Sequence, residues 1–265
     1  MNPSHPASNQ VDREVAVTRI SDTQWQAVAD DQVVGCGDAS RRPDGRLFVS
    51  VDVWQDTDFD LVATAMLADL AAPLYTVVDE ADPASTAAWQ RIGFAVERRE
   101  WGYVVPTDPQ VTGLGEVQPP AGVTVLSAGE AQEAPLLALD RVVRDEVESS
   151  VGWRSMPAEV LPRPAGTTVV DSSQYAVARQ GDEYVGLIRV KRLPRQPRIG
   201  LVAVRADHHR RGVARALLAH ALGELHRSGT ATAWAEVTET NTAATALFEG
   251  IGARRSGSTL ELVRR

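Results

Sequence analysis

The sequence predicts an α+β protein in which one plan is used twice, each copy a mixed, mostly antiparallel twisted sheet flanked by helices. Three observations predict it. The first is an internal repeat: Val78-Asp-Glu-Ala-Asp82, followed by Trp89 and Gly93, matches Val237-Thr-Glu-Thr-Asn241, followed by Phe248 and Gly252, without a gap. The second lies upstream, where Trp25-Gln-Ala-Val-Ala before Val33-Val34-Gly35 parallels Tyr175-Ala-Val-Ala before Tyr184-Val185-Gly186. Both read as β-hairpins around a polar turn. The third is the stretch from Pro106 to Gly122, whose density of proline and glycine marks a linker between the copies.

These signals divide the chain into a tail at 1–12, a first copy at 13–107, a linker at 108–121 and a second copy at 122–265. The second copy reads in order as a strand at 123–126, an amphipathic helix at 131–147 and an irregular segment at 153–168. Strands at 174–180, 184–192 and 199–204 follow, then a helix at 211–227, a strand at 231–238, a helix at 242–250 and closing strands after Ala253. Antiparallel hairpins that run into β-α-β give a mixed α+β domain. The first copy passes almost directly from its opening strand (Glu14 to Ile20) to Trp25. It has no counterpart of residues 127–172, and is therefore truncated.

At 265 residues the chain has room for two modest domains, each with its own core. Hydrophobic residues at 43% and charged residues at 23% suit a soluble globular protein, and no apolar run approaches bilayer-spanning length. The tail has neither a basic start nor an apolar stretch, so no export signal is expected and the cytoplasm is the expected location. A single cysteine, Cys36, excludes an internal disulfide and a multi-cysteine metal site, and it reads as a small core residue. No metal is expected.

The net charge of −8 is unevenly spread. Residues 13–107 carry 16 acidic and 8 basic side chains, whereas residues 122–265 carry 16 acidic and 19 basic. A polyanionic ligand should prefer the second copy. Overall acidity argues against sequence-independent nucleic-acid binding, which needs a broad basic surface.

The richest stretch is Val204-Arg-Ala-Asp-His-His-Arg-Arg-Gly-Val-Ala-Arg-Ala-Leu-Leu218. A strand breaks into a basic turn at Gly212, and a helix begins at once. Free N–H groups at a helix start, with the helix dipole behind them, favour an anion, and a diphosphate is the natural guest. The stretch is neither a P-loop nor a dinucleotide fingerprint. Aligning Val53 with Val204 sets Gln55-Asp-Thr-Asp-Phe-Asp60-Leu61 against Ala206 to Gly212. There the basic glycine turn has become an acidic loop that would repel phosphate.

The second copy resembles the GCN5-related N-acetyltransferase (GNAT) superfamily. The matching residues are Leu201-Val-Ala-Val204, His209-Arg-Arg-Gly212-Val-Ala214, and Trp234-Ala-Glu236-Val237 leading to Asn241, Ala244, Phe248 and Gly252. The resemblance covers roughly 122–265, with a weaker copy at roughly 13–107. A degenerate N-terminal copy beside an intact one is similar to tandem members such as mycothiol synthase.

The resemblance implies acetyl-CoA as co-substrate and transfer of the acetyl group to a primary amine of a small molecule or peptide by direct attack. It places the backbone of Val202, Ala203 and Val204 along the pantetheine arm. The turn from Arg210 through Arg211, Gly212, Val213 and Ala214 to Arg215 would wrap the pyrophosphate, with His209 at its mouth. Asn241 would contact the arm near the thioester, and Glu236 would take the proton from the amine, with Glu239 as a second choice.

A strand carboxylate at position 236 could equally serve as the partner of an arginine. Phe248 stands where many members carry a tyrosine that protonates the departing thiolate, and phenylalanine has no proton to give. Tyr184 or a water could substitute. Two other functions follow from the same features: a non-catalytic acyl-CoA-binding or sensor protein, and a mycothiol-synthase-like acetyltransferase. Acceptor contacts are expected from 144–168, where Glu146, Glu148, Trp153 and Arg154 gather. No nucleic-acid or membrane partner is expected, and the chain would act as a monomer or homodimer.

Overall fold

Period-two burial along Gln24-Trp-Gln-Ala-Val-Ala29 covers Trp25, Ala27 and Ala29 and leaves the residues between them nearer solvent, the pattern of a strand with one buried face. The computed structural model describes residues 13–265 apart from 43, 151, 153–169 and 194. The tail at 1–12 and the irregular segment at 153–168 lie outside the described residues.

In the first half, β1 (Ala16–Ser21), β2 (Gln24–Ala29), β3 (Gln32–Arg41) and β4 (Leu47–Val53) form an antiparallel meander. Then come α1 (Phe59–Asp69), β5 (Leu74–Asp79), α2 (Pro83–Arg91) and β6 (Ala95–Pro106). After the short α3 (Pro109–Thr112), the second half runs β7 (Val123–Leu126), α4 (Glu133–Ser149), β8 (Tyr175–Gln180), β9 (Glu183–Lys191) and β10 (Arg198–Val204). It ends with α5 (Val213–Arg227), β11 (Thr232–Thr238), α6 (Thr242–Glu249) and β12 (Arg254–Arg264). Among the described residues no helix is long and apolar enough to cross a membrane.

The strands form one sheet in the order β1-β2-β3-β4-β5-β12-β6-β11-β10-β9-β8-β7. The closing strand of each half therefore completes the other half. β6 pairs antiparallel with β11, from Pro106↔Thr232 to Glu100↔Thr238. β12 pairs antiparallel with β5, from Thr259↔Asp79 to Arg264↔Leu74, and β6 and β12 pair with each other in the middle. The symmetry reaches single hydrogen bonds. The Glu80 N–H donates to the Ser258 carbonyl and the Glu239 N–H donates to the Arg99 carbonyl, both at 3.0 Å.

The exchange carries core residues with it. Tyr103 and Val105 of β6 are buried in the second core with Leu217, Leu218 and Leu222, while Leu260 and Leu262 of β12 are buried in the first core with Trp25 and Met66. This differs from the sequence reading of closing strands that stay with the second copy. The linker is also more than a tether. Asp108 caps α3 by accepting from the Gln110 N–H at 2.8 Å, and Leu114 is buried in the second core.

The repeat has a physical cause at each matched position. Asp82 caps α2 by accepting from the Ser85 N–H at 3.0 Å, and Asn241 caps α6 by accepting from the Ala244 N–H at 3.1 Å. Trp89 and Phe248 are both buried, and Gly93 and Gly252 take left-handed φ values of 95° and 78° just past their helices. The halves differ on one face. In the second half, α5 lays Val213, Leu217, Leu218 and Leu225 against one side of the sheet, and α4 lays Leu136, Leu139 and Val143 against the other. Among the described residues the first half has only α1 and α2 on one side. On its bare side the β3–β4 loop folds Arg42 over Phe48 at 3.5 Å, and Arg46 pairs with the buried Glu261 at 2.6 Å.

Cys36 is half-buried on β3, and its thiol is pushed above its usual range by burial and by the nearby carboxylates Asp38 and Asp52. That disfavours the thiolate and leaves it a packing residue.

Two outcomes follow. Leu262→Ala removes a fully buried side chain that the second half contributes to the first core, and should cost about 2–5 kcal/mol. Denaturant unfolding should show one transition moved as a whole; two separated transitions would contradict interdependent halves. Asn241→Ala should cost about 1 kcal/mol through loss of the cap, and Asn241→Asp should restore it, as read by the denaturation midpoint.

Candidate functional site

β10 and β11 run parallel but pair only at Arg198↔Trp234 and Ile199↔Ala235. The β9–β10 register shifts between Ile199 and Leu201, a bulge at Gly200 that bends β10 at the point where the pairing ends. From Leu201 onward the edge of β10 facing β11 has no strand partner. β11 stays in the sheet because β6 holds its other edge along its whole length. Between the diverging strands lies a cavity of about 720 Å³.

The mouth of this cavity is built by the chain leaving β10. The Arg205 N–H donates to the Val185 carbonyl at 2.9 Å, and the Ala206 N–H donates to Glu146 of α4 at 2.9 Å. The His209 ring donates back to the Val204 carbonyl at 2.7 Å and ties the loop to the strand end. Arg210 and Gly212 take left-handed φ values of 60° and 89°, the second being natural for glycine. Gly212 is the N-cap residue of α5 and offers no side-chain bond to the helix. The first N–H groups of a helix have no acceptor within it, so the start of this 15-residue helix presents donors and its positive dipole end to the cavity.

Of the residues singled out from sequence, Val202, Val204, His209, Arg210, Gly212, Val213, Ala214, Arg215, Glu236, Asn241 and Phe248 line this one cavity. Ala203 and Arg211 do not. Ala203 packs with the cluster under α4 on the opposite face, since strand neighbours alternate, and Arg211 is exposed. Asn241 both caps α6 and lines the wall. Phe248 is buried, with its ring 6.0 Å from that of Tyr103. The Tyr103 hydroxyl donates to Glu249 and accepts from Arg255, both at 3.0 Å.

Two sequence candidates fall elsewhere. Tyr184 is buried in the cluster under α4, where its hydroxyl accepts from the Gln132 N–H at 3.0 Å, so it is not placed to protonate anything in the cavity. Glu239 is ion-paired with Arg99 at 2.9 Å and does not line the cavity. Of the acceptor segment expected at 144–168, Trp153 and Arg154 lie outside the described residues.

Glu236 immediately follows the last residue of β11 that pairs with β10. Both its oxygens are held. Arg198 donates to Oε2, and the Trp234 indole N–H donates to Oε1 at 3.2 Å. The carboxylate is thus an arginine partner and a cavity residue at once. Sequence reasoning missed Arg198 and the indole contact. The available signal for Arg198 was its place just before the strand break at Gly200.

Residues 143–253 match the family model of the acetyltransferase (GNAT) family. The [ribosomal protein bS18]-alanine N-acetyltransferase of Escherichia coli K12 is 49% identical over 51 residues, 19% of this chain and 34% of that protein. Its Salmonella typhimurium counterpart is 47% identical over 51 residues. The chain thus spans about a third of the length of these relatives. Two solved structures share the fold across both halves. A GCN5-related N-acetyltransferase from Sphaerobacter thermophilus has a TM-score of 0.63 at 16% identity, covering 93% of this chain and 82% of that one. A tandem GNAT protein from the clavulanic acid biosynthesis pathway has a TM-score of 0.63 at 15% identity, covering 91% and 81%. The strand divergence, the uncapped helix start and the match to the acetyltransferase (GNAT) family model all fall within the same stretch of the second half.

Proposed function

We propose that the protein is an acetyl-CoA-dependent N-acetyltransferase acting on a primary amine of a small molecule or peptide, with its active site in the second half. One observation carries the reading: the unpaired edge of β10 and the uncapped start of α5 open onto the same cavity as Glu236. An extended arm ending in a diphosphate fits that pair of features. Strand addition suits the arm, and helix-start N–H groups suit the diphosphate. The named relatives, which acetylate an alanine of a ribosomal protein, support a peptide amine among the acceptors.

Acetyl-CoA supplies an activated acyl thioester. The N–H groups from Arg210 to Arg215 hold the phosphates, and the Leu201–Val204 edge aligns the arm. Val202, Val204 and Phe248 keep water from the apolar wall. Amines of the lysine type are mostly protonated at neutral pH and must lose a proton before they attack. The Glu236 carboxylate takes that proton, directly or through a water. The C–N bond forms as the C–S bond breaks, and the thiolate is protonated from solvent, because Phe248 has no proton to give. Trp234 and Glu236 share the sheet face covered by α4, the side from which an acceptor approaches.

We further propose that the first half binds no cofactor. Asp56, Asp58 and Asp60 crowd the start of α1, and Phe59, Trp89 and Phe94 pack edge to face with centroids 5.1 and 4.8 Å apart.

Acetyl-CoA should raise the melting temperature of the protein, and Gly212→Asp, which sets a carboxylate and a side chain at a left-handed position, should abolish that rise. No rise with the unaltered protein would refute the reading. Thiol release across a panel of primary amines should fall about 10²- to 10⁴-fold in Glu236→Gln. Binding without turnover on any amine would instead favour an acyl-CoA sensor, a reading supported by Phe248 and by the Arg198 partner of Glu236.

A further inference from the structure

We infer that the first half of the chain positions the proton acceptor of the second through Gly102, which makes room for the Trp234 indole that holds Glu236. This deepens the proposed function and rests on the reading of Glu236 as the base. Gly102 lies on β6, directly opposite Glu236 on β11. A Cβ built on it would stand 2.3 and 2.4 Å from Cζ2 and Cη2 of Trp234, far inside any contact a real Cβ makes. Gly102 is not among the glycines with left-handed backbone, so no turn or bend asks for glycine here. The indole does. Lying across β6, its N–H donates to Oε1 of Glu236 at 3.2 Å while Arg198 holds Oε2.

The first half provides an internal control. By the repeat, Val77 stands for Glu236 and Glu261 stands for Gly102, and those two residues do face each other across β5 and β12. Where the strand carboxylate has become valine, the facing glycine has become a buried glutamate paired with Arg46 and Arg98 at 2.6 and 2.9 Å. Glycine at this register is thus found only in the half that keeps the carboxylate and the indole.

A carboxylate gripped at both oxygens keeps one orientation, and one gripped only by Arg198 can turn about its side-chain torsions. Gly102 and Trp234 are therefore positioning residues, acting through Glu236 and not on the acetyl donor. Steady-state kinetics of the full chain with acetyl-CoA and its best amine test this. Gly102→Ala and Trp234→Leu should each lower kcat about ten- to a hundred-fold, the weight of a hydrogen bond to a charged group. KM for acetyl-CoA and the thermal shift with acetyl-CoA should stay within about two-fold, because the diphosphate site is untouched.

On the Trp234→Leu background Gly102→Ala should cost nothing more, since the ring it would strike is gone. On the Glu236→Gln background neither change should lower kcat further. Should Gly102→Ala not fold, Trp234→Leu carries the test alone. Unchanged kcat in Trp234→Leu, or a fall that persists on the Glu236→Gln background, overturns the inference while the base stands. Full kcat in Glu236→Gln removes the base reading and this inference with it.

Discussion

Everything in this molecule depends on the antiparallel pairing of β6 with β11. A cleft between β10 and β11 requires two strands to part, and a strand that has lost one neighbour keeps its place only if the other holds it. β10 is held by β9. β11 has only β6, which comes from the other half of the chain and pairs with it from end to end. The pairing also sends Tyr103 and Val105 into the core beneath the cleft. Because β12 makes the reciprocal journey into the first half with Leu260 and Leu262, neither half closes its core alone. A first half that binds nothing would still be needed to keep the second half's cleft open.

The two halves show how the same backbone divergence can be used or filled. β4 and β5 also pair at just two positions, Leu47↔Leu74 and Phe48↔Tyr75. Beyond that point α1 begins with Phe59, where α5 begins with Val213, and Phe94 stands where the second half has Ala253; both rings pack on Trp89. The helix dipole at the start of α1 already faces the chain's own carboxylates. In the second half the same end of α5 meets a basic turn. Aromatic packing and acid on one side, small residues and base on the other, separate a filled cleft from an open one.

Local features were legible in the sequence, and the register between distant strands was not. The hairpins, the helix at Val213 and the repeat spacing are all set within about twenty residues by periodicity and capping. They therefore landed within two or three residues of where the structure places them. The strand exchange joins residues 100–106 to 232–238, and nothing in a local pattern distinguishes it from a copy that closes on itself. The same blindness hid Gly102. A glycine inside a strand pattern signals a close approach, but the ring it accommodates lies more than a hundred positions away. Tyr184 is a different case: it lies on β9 beside β10, yet its hydroxyl is taken up by the Gln132 N–H among the residues packed under α4.

The two halves differ even at the level of a single capping atom. Asp82 and Asn241 accept the same kind of hydrogen bond from the same place in their helices, 3.0 and 3.1 Å from the third residue on. For stabilising a helix start the two side chains are nearly equal, and aspartate is the more usual friend of the dipole. They differ in charge. Asn241 lies on a cavity wall that also holds Glu236, where a second carboxylate would add a negative charge beside the first and oppose an anionic guest. Asp82 borders a half whose cleft is filled with aromatic rings, and no such constraint acts there. Position 241 thus keeps the cap geometry that the fold requires without adding a second carboxylate to the wall that holds Glu236.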